Sequence, residues 1–164
     1  MVLDSERLVR RYLSELCTEP RLDGIEAWIA TLAHPDMTDE ANLAFGGPPG
    51  RAGLVAHVKG FVRAIGDLEV RIDRIAAGRD ETGTERAMAC WHFSGRHRAP
   101  WLGRPASGAA ISGTVVSVFT VTAGKFAHYR LWLCAEMAEG PVVFDSAQAL
   151  ARARAEGRAA RGPA

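Results

Sequence analysis

A chain of 164 residues with 48% hydrophobic and 24% charged side chains is long enough for one globular domain with a real core, and short for two. Its 20 basic and 19 acidic side chains leave a formal charge of +1, which gives no support to a phosphate-binding surface or a nucleic-acid partner. Cys17, Cys90 and Cys134 are odd in number, far apart and without a C-x-x-C pair; they read as buried, reduced thiols and argue against a disulfide framework or structural zinc.

The opening MVLDSERLVRR lacks the apolar run of a secretory signal, and no later segment approaches ~18 uninterrupted apolar residues. No membrane partner and a cytoplasmic address are expected. Asp4 or Ser5 can cap a first helix, with Leu8, Val9, Tyr12, Leu13 and Leu16 on one stripe, and Pro20 ends it. Asp23 can cap a second, with Ile25, Trp28, Ile29 and Leu32 inward, stopped by His34-Pro35-Asp36 because the residue before proline is pushed toward extended geometry. A short extended piece at Asn42 to Phe45 leads to a turn at GGPPG, Gly46 to Gly50. A third helix then carries Leu54, Val55, Val58, Phe61 and Val62.

From Asp67 the period changes to two: Leu68, Val70 and Ile72 alternate with Glu69, Arg71 and Asp73, and GRDETG turns the chain at Gly78 to Gly83. AMACWHFSG continues the alternation. ISGTVVSVFTVT resumes it and Ala123-Gly124 turns it into KFAHYRLWLCAEM, giving four long strands in meander order. Between the second and third strands lies GRHRAPWLGRPASG, Gly95 to Gly108, whose glycines and prolines specify an irregular connection. The pattern predicts a domain over residues 1–140 and an Ala/Arg-rich tail over 141–164, helical or disordered.

Helices followed by a long antiparallel sheet predict an α+β fold, with the helices covering one face of a sheet that curls into a cone around an apolar pocket. His34-Pro35-Asp36, Gly95-Arg96-His97 with Gly103-Arg104-Pro105-Ala106-Ser107, and Ile111-Ser112-Gly113 leading to Gly124-Lys125 resemble the SnoaL-like polyketide cyclase family from about Leu8 to Glu136. That family lies within the superfamily of cones resembling nuclear transport factor two and ketosteroid isomerase. The resemblance implies a lip formed by Gly95 to Gly108 at the pocket mouth, a homodimer formed through the outer sheet face, and a hydrophobic small-molecule substrate. It also implies aldol-type acid–base chemistry needing neither cofactor nor metal.

Carried onto this chain, the cyclases' histidine falls on Ser117 and their aspartate on Leu131, so neither position can transfer the proton as it does in the family. Period-two alternation places Val115, Phe119, Tyr129 and Leu133 inward with them and His128, Arg130 and Trp132 outward, unless a bulge swaps the faces. Replacement catalytic groups are then His97, His92, Tyr129, Ser117, Asp36 and Asp39. For all but Ser117 there is a structural alternative: a pinned lip for His97, an interface or structural role for His92, a turn or cap for Asp36, packing for Tyr129, and solvent exposure for Asp39 and its neighbour Glu40. Trp28, Trp91, Trp101, Phe119 and Leu131 are candidates for substrate contact. Arg96, Arg98 and Arg104 make the lip basic, for an anionic ligand or for solubility. The sequence holds no nucleotide loop, H-x-x-x-H or G-x-S-x-G motif. Three functions remain: cyclase or isomerase, cofactor-independent hydroxylase of an aromatic polyketide, and non-catalytic small-molecule binder.

Overall fold

A computed structural model describes residues 1–16 and 23–159. The first helix, α1 (Asp4–Glu15), buries Val9, Tyr12 and Leu13 along the expected stripe. Its N-cap is Leu3, which has no side-chain cap hydrogen bond, so neither Asp4 nor Ser5 caps it. The buried Ser5 N–H instead donates to Glu85 Oε1 at 2.7 Å, a carboxylate brought from a distant strand to a helix end whose amides lack intrahelical acceptors. The hydrogen bonds from Ser5 hold the Glu85 carboxyl below its usual pKa. The expected stop at Pro20 lies outside the described residues. The second helix, α2 (Ile25–Leu32), buries Ile25, Trp28, Ile29 and Leu32; Gly24, not Asp23, is its N-cap.

His34-Pro35-Asp36 follows the end of α2 in extended geometry, as expected. It opens a strand, β1 (Ala33–Asp39), in which His34 donates from Nε2 to the Thr122 carbonyl at 2.6 Å. The extended piece expected at Asn42 to Phe45 is a short helix, α3 (Glu40–Ala44), because the Asp39 carboxylate accepts the Asn42 N–H and starts a helical turn there. GGPPG follows as a turn. Gly50 has φ +68° and a Cβ there would sit 2.5 Å from the Pro35 carbonyl, so this turn can close onto β1 only with glycine. It leads into α4 (Arg51–Ala64).

The meander forms as expected: β2 (Ile65–Arg79), β3 (Glu85–His97), β4 (Ala110–Thr122) and β5 (Lys125–Glu136). Two further strands use the remaining edge of β5. β1 pairs parallel with its first half, and β6 (Val142–Asp145) pairs antiparallel with its second. The result is a curved, open, mixed sheet of six strands in the order β1-β5-β4-β3-β2 with β6 beside β5, in an α+β fold. The last helix, α5 (Ser146–Ala155), is capped by Asp145 and packs against α3.

Val115, Ser117 and Phe119 of β4 and Tyr129, Leu131 and Leu133 of β5 are buried on the inner face, while His128, Arg130 and Trp132 face outward and are partly exposed. One bulge interrupts β5: Thr120 pairs with His128 and Val121 with Phe126, leaving Ala127 unpaired. It brings Phe126 and Tyr129, three residues apart, onto the same inner face without reversing the expected faces. The thiols depart from expectation. Cys90 is half-buried and Cys134 exposed, because both fall on the outer phase of their strands; Cys17 lies outside the described residues.

Candidate functional site

Between the inner sheet face and the helices lies a chamber of about 330 Å³ with a largely apolar wall. Aromatic rings build its sheet side. Phe119 stacks on Tyr129 and on Phe126, each with ring centroids 4.3 Å apart, and Tyr12 of α1 meets Phe119, Phe126 and Tyr129 edge-on. Phe61, Trp91, Phe93 and Trp101 form a second group at the lip end.

Within this apolar wall sits one acid–base pair. Asp39 ends β1 directly opposite Tyr129 in register, and its side chain is 1% exposed. A buried carboxylate needs its lone pairs satisfied, and both oxygens are engaged: Oδ1 accepts the Asn42 N–H at 3.0 Å and Oδ2 pairs with His57 Nδ1 at 2.7 Å. A carboxylate can only accept, so Nδ1 carries the proton and Nε2 of neutral His57 keeps its lone pair. His57 stacks parallel to Tyr129 at 5.6 Å and lines the chamber with 22% of its side chain exposed. Burial works against its charged form, yet the Asp39 charge and hydrogen bond outweigh burial and raise the His57 pKa above its ordinary value.

A chain of hydrogen bonds runs through the adjoining sheet wall. Trp91 Nε1–H donates to Ser117 Oγ at 3.0 Å, and Ser117 Oγ lies 3.1 Å from Tyr129 Oη. Indole nitrogen can only donate. If the Ser117 hydroxyl donates onward to Tyr129, the phenol proton of Tyr129 is left to point at a chamber occupant. Burial, opposed by the Ser117 hydrogen bond, pushes the Tyr129 pKa up, and burial does the same to Tyr12, so both phenols stay neutral donors.

The structure brings four of the sequence candidates to the chamber wall, Tyr129, Trp91, Trp101 and Leu131, with Ser117 immediately behind Tyr129. Ser117 and Leu131 are register partners across β4 and β5. Asp39, expected at the surface, is buried and paired. Phe119 supports Tyr129 from behind, and Trp28 stacks on Tyr12 at 5.9 Å without lining the chamber. Asp36 is exposed on β1, because the strand's period puts Met37 and Asp39 inward. His92 lies on the outer sheet face, its Nδ1 bonded to Thr114 Oγ1 at 2.9 Å. His97 is buried at the end of β3 away from the chamber. Its backbone pins the lip through His97 N–H to the Ala109 carbonyl and Gly108 N–H to its own carbonyl, both at 2.9 Å. Glu40, beside Asp39, points away and joins His128 and the Ser146 hydroxyl, at 3.2 and 2.9 Å. Burial would raise the Glu40 pKa, but these hydrogen bonds and the charges of His128 and Arg130 lower it.

The lip is ordered by its own turn. Trp101 and Arg104 exchange two backbone hydrogen bonds around Leu102 and Gly103, both at positive φ, which lays Trp101 against Phe61 and Phe93 over the chamber. Arg98 pairs with Asp67 and Arg104 donates to the Gly140 carbonyl, so these two cations tie the lip down. Sequence reasoning missed His57. It lies three residues after Leu54 and four before Phe61, so a histidine on the apolar stripe of α4 was the available signal.

A curved sheet closed by helices over an apolar chamber, with polar groups converging on one spot of its wall, defines a cone-shaped fold with an internal chamber. The chain belongs to the SnoaL-like polyketide cyclase family, whose model matches residues 7–134. Among solved structures it is similar to TsrD from Streptomyces laurentii, at 23% identity and a TM-score of 0.62, covering 79% of this chain and 87% of that one. A SnoaL-like polyketide cyclase from Agrobacterium tumefaciens C58 is similar at 15% identity and TM-score 0.59, covering 82% and 92%. IdmH from Streptomyces antibioticus, a candidate polyketide cyclase, is similar at 16% identity and TM-score 0.55, covering 79% and 90%. These likenesses establish the fold. Comparison with curated proteins finds no match. Among the described residues, no helix is long and apolar enough to cross a membrane.

Proposed function

We propose that this chain is a cofactor-free enzyme of secondary metabolism that cyclises or isomerises a hydrophobic polyketide-type molecule, with His57 as the proton-transferring base. The observation that carries the reading is the buried Asp39–His57 pair opening onto the chamber beside Tyr129. His57 Nε2 removes a proton from a carbon activated by flanking carbonyls, and the negative charge spreads onto a carbonyl oxygen. Tyr129 O–H donates to that oxygen, in a site with little water to compete. The carbanion then attacks a second carbonyl, or is reprotonated at another carbon, and the imidazolium returns the proton. Asp39 fixes the tautomer and stabilises the imidazolium; it touches no substrate and is a positioning residue. In this reading Ser117 and Leu131 leave β4 and β5 without the family's acid–base pair, and His57 of α4, held by Asp39 of β1, takes over its task.

The outer sheet face carries an apolar run of Met88, Val116, Val118 and Trp132, which favours a homodimer through that face; sedimentation at micromolar concentration tests it. The test of function is conversion of an aromatic polyketide ester without oxygen or reductant. Turnover that His57→Gln abolishes supports the reading. A strict oxygen requirement would instead make the protein a hydroxylase, and saturable binding without turnover would make it a carrier.

A further inference from the structure

Three features of the molecule lie outside the chamber chemistry: the Glu40–His128–Ser146 network under α5, the buried imidazole of His97, and a cluster on the outer face of β2 and β3. The first anchors α5; the His97 imidazole is buried away from the chamber with Nε2 unpartnered among the described residues, the lip being pinned by its backbone instead. The third is a site. We propose that Asp73, Cys90 and His92 bind one zinc-class divalent cation, held between the two strands at three of its four positions.

Asp73, Cys90 and His92 each place one ligand atom within 4.8 Å of the others. Such closeness has a local cause. Cys90 and His92 are two residues apart on the outer phase of β3, so their side chains stand side by side. On β2 the pairing steps from Ile72 opposite Trp91 to Arg74 opposite Cys90, and the extra residue in that bulge is Asp73. A regular strand would set Asp73 opposite Cys90 alone. The bulge sets it between the Cys90 and His92 rows, within reach of both, a re-aiming that bulges commonly perform.

A second observation concerns the histidine. Its Nδ1 is engaged by Thr114 Oγ1 at 2.9 Å, from its register partner on β4. Metal-ligating histidines have their other ring nitrogen held in this way, which fixes the ring and tautomer; here Nε2 is the nitrogen left for the ion. A thiolate, an imidazole and a carboxylate together suit a borderline-soft ion such as Zn²⁺ and are a poor set for Ca²⁺ or Mg²⁺. Cys90 would bind as the thiolate and release its proton to solvent. The competing contact is the pair of Arg71 Nη1 with Asp73 Oδ1 at 3.6 Å, between exposed side chains, and such a pair is easily displaced. No sequence spacing announces the site, because its third ligand arrives from another strand.

Cobalt(II) substitution of the full chain tests it. One equivalent of Co²⁺ should produce a thiolate-to-cobalt charge-transfer band and visible bands of four-coordinate intensity, both discharged by Zn²⁺. Cys90→Ser should remove the charge-transfer band, and His92→Asn and Asp73→Asn should each weaken binding by about 10-fold or more. Loss of Thr114 as a hydrogen-bond partner in Thr114→Val should cost on the order of 10-fold. Cys134→Ser should leave the spectrum intact. An unchanged far-ultraviolet dichroism spectrum for Cys90→Ser keeps misfolding out of the comparison. Absence of the band at one equivalent, or its survival in Cys90→Ser, overturns the assignment.

Discussion

The two walls of the chamber are made of different chemistry. On the sheet side, Trp91, Ser117, Tyr129 and Leu131 offer neutral donors and apolar surface; His57 of α4, held by Asp39 at the end of β1, completes a pair that can hold and release a proton. The difference teaches where a buried carboxylate can be kept. Asp39 sits at a strand-to-helix junction, where the free Asn42 N–H and the His57 ring satisfy both oxygens. Position 131, in mid-strand opposite Ser117 with its backbone amide already given to Ser146, holds a leucine that needs no partner.

The comparison breaks most sharply at His57. If the helical wall supplies the base, His57→Gln should lower kcat by roughly 10²- to 10⁴-fold, the usual range for a general base, with little change in substrate affinity. An equal loss on replacing a group of the sheet wall alone would reverse the division of labour. Next comes the donor: Tyr129→Phe should cost up to about 10²-fold in kcat while leaving the pH profile where it is, since the phenol stays neutral throughout.

The pair itself gives a pH test. His57 must be neutral to act as base, and its pKa is raised, so kcat should rise with pH through an inflection above the ordinary histidine value. Asp39→Asn removes the charge that raises it and leaves burial, so the inflection should move to lower pH while kcat falls about 10-fold through loss of ring orientation. A purely structural Asp39 would not move that inflection. The same linkage makes the pair's contribution to stability largest below about pH 6.5, the unfolded-state value, and it is lost as pH rises through the raised folded pKa. Thermal melts of wild type and His57→Gln across that range should converge at alkaline pH.

The smallest expected effect is at the junction of α3 and α5. Ser146→Ala removes the hydroxyl that donates to Glu40 and accepts the Leu131 N–H, and should lower stability by about 1–2 kcal/mol in a denaturant titration without changing kcat at the sheet wall.

Much of this was legible in order. Helical stripes on α1, α2 and α4 and the alternation of β2 to β5 follow from periods of 3.6 and 2, which depend only on which residues are apolar. They determined the α+β class and the meander; the inward phase of Ser117, Phe119, Tyr129 and Leu131 rested on the family resemblance, because both phases of β4 carry apolar residues. Their limits show at Asp39, whose charge argued for solvent, and at His57, an isolated histidine in an apolar stripe. A carboxylate is buried only when partners meet it, and those partners lie 3 and 18 residues away on other elements. Tertiary structure alone decided that β1 joins β5 in parallel, that a strand carboxylate supports the start of α1, and that the bulge at Asp73 faces Cys90 and His92. Local pattern determines which face a residue takes on its own element; which residues of two elements meet depends on register and crossing, and those are set by the packing of the whole.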